Sequence, residues 1–231
     1  TMSIAYKDDG IVIGVEGLSK VEKELGNIRS KLPAVEKFAI NKTARYTRKI
    51  MIQQAKTRYA LNAAGQRHLK DLQQKKKATN SDATAELFIA SMQNDLGYFT
   101  SSPKRPYVGM KVFGAPEYFK GKVLKASPLK NLSGTAKLSK GFLLEFSSGH
   151  VGMVQRVVGS SSKNKVTKKG RPRWTTPDGR VEKVQTMGSP SPTAMHNTVF
   201  SIVEPEVEKY LEDALLDRAE RVLEIAKARG K

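Results

Sequence analysis

Cysteine is absent from the 231 residues, histidine occurs three times, tryptophan once, and the 22 acids are far outnumbered by 41 bases. Without cysteine there can be no disulfide, thiolate metal site or cysteine nucleophile, and cytosolic synthesis is the simpler expectation. Long apolar runs are missing as well. No window approaches the roughly 18 consecutive apolar residues that a membrane-spanning helix requires. The opening Thr1-Met2-Ser3 shows no basic stretch followed by an apolar one, so a secretory reading has little support and a soluble, intracellular protein is expected. What remains is positive charge, formally +19, on a chain long enough for one domain with long excursions or for two small ones.

That charge is concentrated. Residues 204–231 hold eight acids and six bases, which leaves +21 on residues 1–203. From Arg45 to Lys77 ten bases face Asp71 alone, between Ser102 and Lys130 seven face only Glu117, and from Lys163 to Lys183 eight face Asp178 and Glu182. Like charges this dense repel one another and are best tolerated where a polyanion or an acidic protein surface meets them. The plainer alternative for any single run is a solvated basic surface that serves solubility.

Ser3 to Val15 reads as a hairpin, with alternating apolar residues and turn-forming Asp8-Asp9-Gly10. Leu18, Val21, Leu25 and Ile28 then fall at helical spacing behind Ser19, and Pro33 belongs in the first turn of a second helix, from about Ala34 to about Asn62. On it, Ala39, Ile40, Thr43, Ala44, Thr47, Met51 and Ala55 form a slim stripe, read as core packing ahead of an oligomer seam. Gly65 is expected to end this helix, with Gln66–Gln74 a short basic helix and residues 75–82 a polar connector. Strands are expected at Ala85–Ile89, Val108–Phe113 and Phe142–Phe146, the last turning through Ser147-Ser148-Gly149 into Val151–Val158. Ser191-Pro192 starts a helix expected to end near Val203, and Pro205 starts or kinks a final amphipathic one. The fold class is therefore α+β: an antiparallel sheet of about four to six strands against a long helix, with C-terminal helices and extended basic loops. The expected domains are a core over residues 1–203 and an amphipathic helix over 204–231. The loops 118–140 and 160–183 are polar enough to need a partner for order, because fixing a backbone costs about 1–2 kcal/mol per residue.

Catalytic signatures are missing. His68, His150 and His196 lie far apart without metal-ligand companions and read as surface or hairpin residues. There is no nucleophile elbow, Gly121-Lys122 lacks a phosphate loop's spacing, and Asp8-Asp9 reads as a turn. Neither an enzyme, a metal nor a cofactor is expected. Aromatics such as Tyr46, Tyr59, Tyr107 and Trp174 interleave with the basic runs, yet no sequence-reading nucleic-acid motif is present, which leaves only sequence-independent phosphate contact.

Four landmarks in order resemble the prophage minor tail protein Z family of long-tailed phages: Gly17-Leu18; Ala39-Ile40-Asn41-Lys42-Thr43-Ala44; Gly141-Phe142-Leu143 through Gly149-His150-Val151 to Val154-Gln155-Arg156-Val157; and Gly188-Ser189-Pro190-Ser191. They span roughly Gly17 to the end of the chain, and both long basic loops look longer than the family's. The resemblance implies a virion structural protein, made in the host cytoplasm, that completes the tail at its head-proximal end and joins it to the head connector. It implies a ring, commonly sixfold, around the DNA passage. Its implied partners are copies of itself, tail tube and terminator proteins and head–tail connector proteins, with nonspecific contact to genomic DNA possible. Ile40, Asn41, Lys42, Gln155 and Arg156 are the positions that match the family pattern.

The alternative is a standalone nonspecific DNA-binding protein, and a nuclease stands third. Arg45, Arg48, Lys49, Lys56 and Arg58 are the candidates for a basic face toward DNA or a neighbouring subunit, with a solvated helix face the plain alternative. Lys168, Lys169, Arg171 and Arg173 beside Trp174 are the candidate docking loop.

Overall fold

Alternation of side chains fixes the first sheet. In the computed structural model, which describes residues 2–7, 10–15, 19–69, 72–89, 95–106, 119–146, 148–158, 160 and 183–230, strands β1 (Met2–Lys7) and β2 (Gly10–Val15) pair antiparallel, Met2 opposite Val15 and Lys7 opposite Gly10. Strand β4 (Thr84–Ile89) pairs with β2 and β3 (Leu72–Lys76) with β4, giving the order β1-β2-β4-β3. Every second residue faces the core: Ile4, Ile11, Ile13, Val15, Leu72, Ala85, Leu87 and Ile89 are buried.

Three helices complete this unit, which comprises residues 1–55, 68–92 and 191–231. Helix α1 (Ser19–Leu25) buries Val21 and Leu25, then stops three residues short of the expected Ile28. Gly26 takes φ +49°, and a 3-10 turn with non-helical Ile28 follows. Helix α2 (Leu32–Arg58) carries Pro33 in its first turn and buries all seven residues of the slim stripe together with Val35 and Ile50. That stripe packs within its own chain. Helix α4 runs unbroken from Pro192 to Ala228, and Ser191 caps it, its hydroxyl accepting from the Ala194 amide at 3.0 Å. The expected split at Pro205, and with it the boundary at 203/204, falls inside this one helix. An interior proline costs about 3 kcal/mol, but Pro205 and Ser201, whose carbonyl it strips of a partner, are both exposed, so water can replace the lost bond. Val203, Val207 and Leu211 remain buried on the opposite side.

The second unit comprises residues 56–67 and 93–190. After α2 ends at Arg58, four residues earlier than expected, Tyr59 and Leu61 form isolated bridges to Leu124 and Phe99. Asn62 then caps α3 (Ala63–His68), its Oδ1 accepting from the Gly65 amide at 3.0 Å. Gly65 therefore terminates nothing. It lies inside a helix because a Cβ there would sit 2.3 Å from the Tyr98 carbonyl oxygen. The short helix expected over Gln66–Gln74 is not formed: α3 ends at His68, Leu69 is buried, and Leu72 belongs to a strand, because Gln73 and Gln74 continue the ladder opposite Phe88 and Leu87.

Two three-stranded antiparallel sheets follow, so the single sheet expected from sequence is replaced by three small ones. Strands β5 (Thr100–Ser102), β6 (Lys120–Lys122) and β7 (Lys130–Asn131) form one; β8 (Phe142–Glu145), β9 (Val151–Arg156) and β10 (Val184–Thr186) form the other, in the order β10-β9-β8. The predicted β8–β9 hairpin is present, with Gly149 at φ +79° in its turn. The expectation that residues 118–140 need a partner for order fails for 119–140. Phe119 is fully buried, Leu132 N–H donates to the Phe119 carbonyl at 2.9 Å, and Gly141 N–H to that of Leu132 at 2.9 Å. Of the second loop, the described ends Ser160 and Lys183 are tied by a 2.9 Å bond from the Lys183 amide to Ser160 Oγ. The Val108–Phe113 strand expectation, Asp8-Asp9 and Gly17-Leu18 lie outside the described residues.

Candidate functional site

Helix α2 holds five of the ten predicted contact residues and carries seven bases against the single acid Glu36. At 100° per residue, Arg45, Lys49 and Lys56 project within about 40° of one another, roughly opposite the buried stripe, and Arg48 lies about 60° to one side. Arg45, Arg48 and Lys49 are exposed, and Lys56 is half-buried. Arg48 is partly engaged, its Nε donating to the Leu72 carbonyl of β3 at 2.6 Å. Arg58 is exposed but does not share their side of the helix; its guanidinium lies 5.9 Å from the Tyr59 ring centroid. Lys168, Lys169, Arg171, Arg173 and Trp174 lie outside the described residues.

The positions singled out by the family resemblance prove to be internal fasteners. Ile40 is fully buried. Asn41 makes four side-chain hydrogen bonds: Nδ2 donates to the carbonyls of Lys37 (2.8 Å) and Ala78 (2.9 Å), and Oδ1 accepts from the Ala78 amide (3.1 Å) and from Gln74 Nε2 (3.1 Å). One asparagine thus pairs with both backbone groups of buried Ala78, as a neighbouring strand would, and clasps the connector after β3 to α2. Lys42 faces α4, 3.9 Å from the Asp217 carboxylate and 5.6 Å from the Tyr210 ring centroid. One turn on, Tyr46 stacks on Tyr210, with centroids 3.8 Å apart and planes at 6°, and its hydroxyl donates to Glu206. Gln155 and Arg156 are buried in β9. Gln155 Nε2 donates to the Ser139 carbonyl at 2.9 Å, the Arg156 amide donates to Ser139 Oγ at 2.8 Å, and the Arg156 guanidinium lies 5.6 Å from the Phe142 ring centroid. The pair therefore holds segment 133–140 against the hairpin.

Of the three histidines, His150 keeps its expected place and His196 departs from it. His150 does sit at the hairpin turn, but its Nε2 donates at 2.6 Å to Oδ2 of Asp95, a carboxylate 1% exposed. Asp95 Oδ1 accepts from the amides of Gly97 (2.6 Å) and Met153 (3.0 Å). The imidazole stacks on Phe146 at 5.8 Å, and Tyr98 tilts against it at 5.1 Å. Burial and then the charge of Asp95 hold the Tyr98 phenol above its ordinary pKa. Space for the carboxylate comes from Gly152, where a Cβ would lie 2.6 Å from Asp95 Oδ2. An oriented imidazole is a recurring catalytic part, but no group of three metal-ligating side chains occurs among the described residues. The dyad joins the hairpin to the 3-10 turn Leu96–Tyr98. No local pattern announces it, since its two members stand 55 residues apart.

His196 is buried in α4, 3% exposed, and its Nδ1 has no hydrogen-bond partner among the described residues. Burial lowers its pKa to about 4. A signal existed: His196 continues the apolar stripe Pro192, Met195, Val199, Phe200 and Val203 at helical spacing. The side chain of His68 lies outside those described.

No helix among the described residues is long and apolar enough to cross a membrane. No family model, no curated protein and no solved structure matches this chain.

Proposed function

We propose that this chain is a virion structural protein of a long-tailed phage, completing the tail at its head-proximal end and joining it to the head connector as a subunit of a ring around the DNA passage. The observation that carries the reading is the outward side of α2: Arg45, Arg48 and Lys49 stand exposed, and no acid occurs in the helix after Glu36. Exposed cations that neutralise phosphates bind any sequence and give a salt-dependent attraction, which suits a surface along which DNA travels or an acidic neighbour docks. The ordered landmarks from Gly17 onward supply the particular class. In a closed ring each subunit joins its neighbour through two different surfaces, and the basic side of α2 supplies one of them.

The test is made in the virion. In phage carrying Arg45→Glu together with Lys49→Glu, neck imaging is expected to show tails without heads, while the isolated variant melts within a few degrees of the parent. Normal joined particles would overturn the reading. So would a purified parent chain that stays monomeric with tail and connector proteins while binding duplex DNA with a steep salt dependence, which is the behaviour of a standalone DNA-binding protein.

A further inference from the structure

We propose that a hollow between α2, the connector after β3 and α4 binds a phosphate group, an inference that does not depend on the tail-completion reading. The hollow has a volume of about 370 Å³, within the range of small-ligand sites and large enough for a phosphate with part of the group esterified to it. Lys37 and Arg45 of α2 and Arg218 of α4 line it with Asn80 of the connector, around the ring of Phe38, which is 39% exposed. No carboxylate belongs to this lining, and among the described residues none of the three cations has an ion-pair partner.

Three cations turned into one hollow repel one another unless an anion joins them. Arg218 adds a second and independent sign. Its guanidinium lies 4.5 Å from the Phe38 ring centroid, and its Nε is buried without an acceptor. That buried nitrogen is out of a ligand's reach, so an anion in the hollow would be met by the terminal nitrogens of the guanidinium. Contact with Phe38 restrains the group, and its planar fork of N–H groups matches the spacing of phosphate oxygens. A carboxylate offers one charge and two oxygens in a plane, whereas a phosphate has oxygens in three dimensions for donors arriving from two helices and a loop.

A second hollow that shares Phe38 and Arg218 with the first supplies the contrast. It is lined by Lys42, Arg218 and Arg221 but also by Asp217, Glu220 and Glu224, three charges against three, with Lys42 already 3.9 Å from Asp217. An anion is drawn to the first hollow and not to the second.

The phosphate could come from a free phosphorylated compound or from a nucleic-acid backbone, and the experiment separates the two. The full chain is titrated calorimetrically with pyrophosphate and, separately, with a short DNA duplex, using the parent, Arg45→Gln, Arg218→Gln and, as a control outside the hollow, Lys23→Gln. Removing one charge-assisted contact is expected to weaken binding about tenfold. A single pyrophosphate site weakened about tenfold by Arg45→Gln and Arg218→Gln, and untouched by Lys23→Gln, supports a free phosphate ligand. The same losses with duplex alone support a backbone phosphate. Arg45 is exposed and has no ion-pair partner among the described residues, so its replacement leaves the fold intact should Arg218→Gln disturb packing. The proposal is overturned if neither probe binds, if the hollow variants bind like the parent or no worse than Lys23→Gln, or if acetate competes as well as pyrophosphate.

Discussion

Lowering the pH should act on the fold through His196. Its imidazole is buried and titrates near 4 in the folded state, against 6.5 for the exposed group. The unfolded chain therefore binds this proton first, between pH 6.5 and 4, so stability is complete above pH 6.5 and falls as the pH is lowered through that window. The full difference amounts to about 3 kcal/mol, at 1.36 kcal/mol per pKa unit, and about 2 kcal/mol of it is lost by pH 5. Urea denaturation of the parent and of His196→Leu at pH 7.5 and pH 5 isolates this contribution, because the other titrating groups are common to both proteins. Leucine keeps an apolar side chain in the stripe between Pro192 and Phe200 and removes the unpartnered Nδ1. The expected result is a parent that loses about 2 kcal/mol more than His196→Leu between the two pH values. Parallel losses in the two proteins would mean that His196 is not held neutral by burial, and the reasoning would be wrong.

Other perturbations separate fasteners from bystanders. Asn41→Ala removes four hydrogen bonds and strands both backbone groups of buried Ala78; a loss of about 2–3 kcal/mol by chemical denaturation is expected. Gly65→Ala should destabilise by about 3 kcal/mol, since the new Cβ meets the Tyr98 carbonyl at 2.3 Å. Helix propensity alone would give a gain of about 1 kcal/mol, so the sign of the change decides. Asp95→Ala leaves the Gly97 and Met153 amides as well as His150 without their acceptor, and should cost about 3 kcal/mol, more than His150→Ala, which frees one carboxylate oxygen. Equal losses in the two would mean that the carboxylate serves the histidine alone.

The parts of the fold that could be read from sequence are those in which one local rule acts without competition. The β1–β2 hairpin, the slim stripe of α2, the Ser191 cap and the β8–β9 turn each follow from periodicity or turn chemistry within a few residues. The departures occur where a distant segment overrides local preference. Gly65 looks like a helix stop until the Tyr98 carbonyl is seen against it. Pro205 looks like a break until Val203 and Val207 are seen to continue the buried stripe of one unbroken helix past it. The 119–140 segment looks unsupported because its order rests on Phe119 and on Ser139 held by Gln155 and Arg156, contacts that composition does not reveal. For the candidate site, the basic side of α2 was legible because no acid follows Glu36. The hollow beside it was not, since Arg218 and Asn80 stand 138 residues apart and meet only through the packing of α4 and the connector against α2.

Helix α2 explains how one segment can serve both stability and contact. Its inward side, from Val35 to Ala55, is closed against the core; the flank bearing Lys42 and Tyr46 is engaged by α4, as is Phe38 at the start of the outward side; Asn41 is committed to the connector. Further along the outward side, Arg45 and Lys49 make no such packing contact among the described residues. Exposed charges of this kind contribute at most about 1 kcal/mol to a fold, so their concentration here is not accounted for by stability. Substitutions around α2 should therefore divide by direction. Those at Ile40, Asn41 or Thr47 lower the melting temperature before any binding can be measured. Those at Arg45 or Lys49 leave the melting temperature in place and change what the chain associates with. A loss of stability at Arg45 as large as that at Asn41 would erase this division and leave the basic side of α2 as part of the fold.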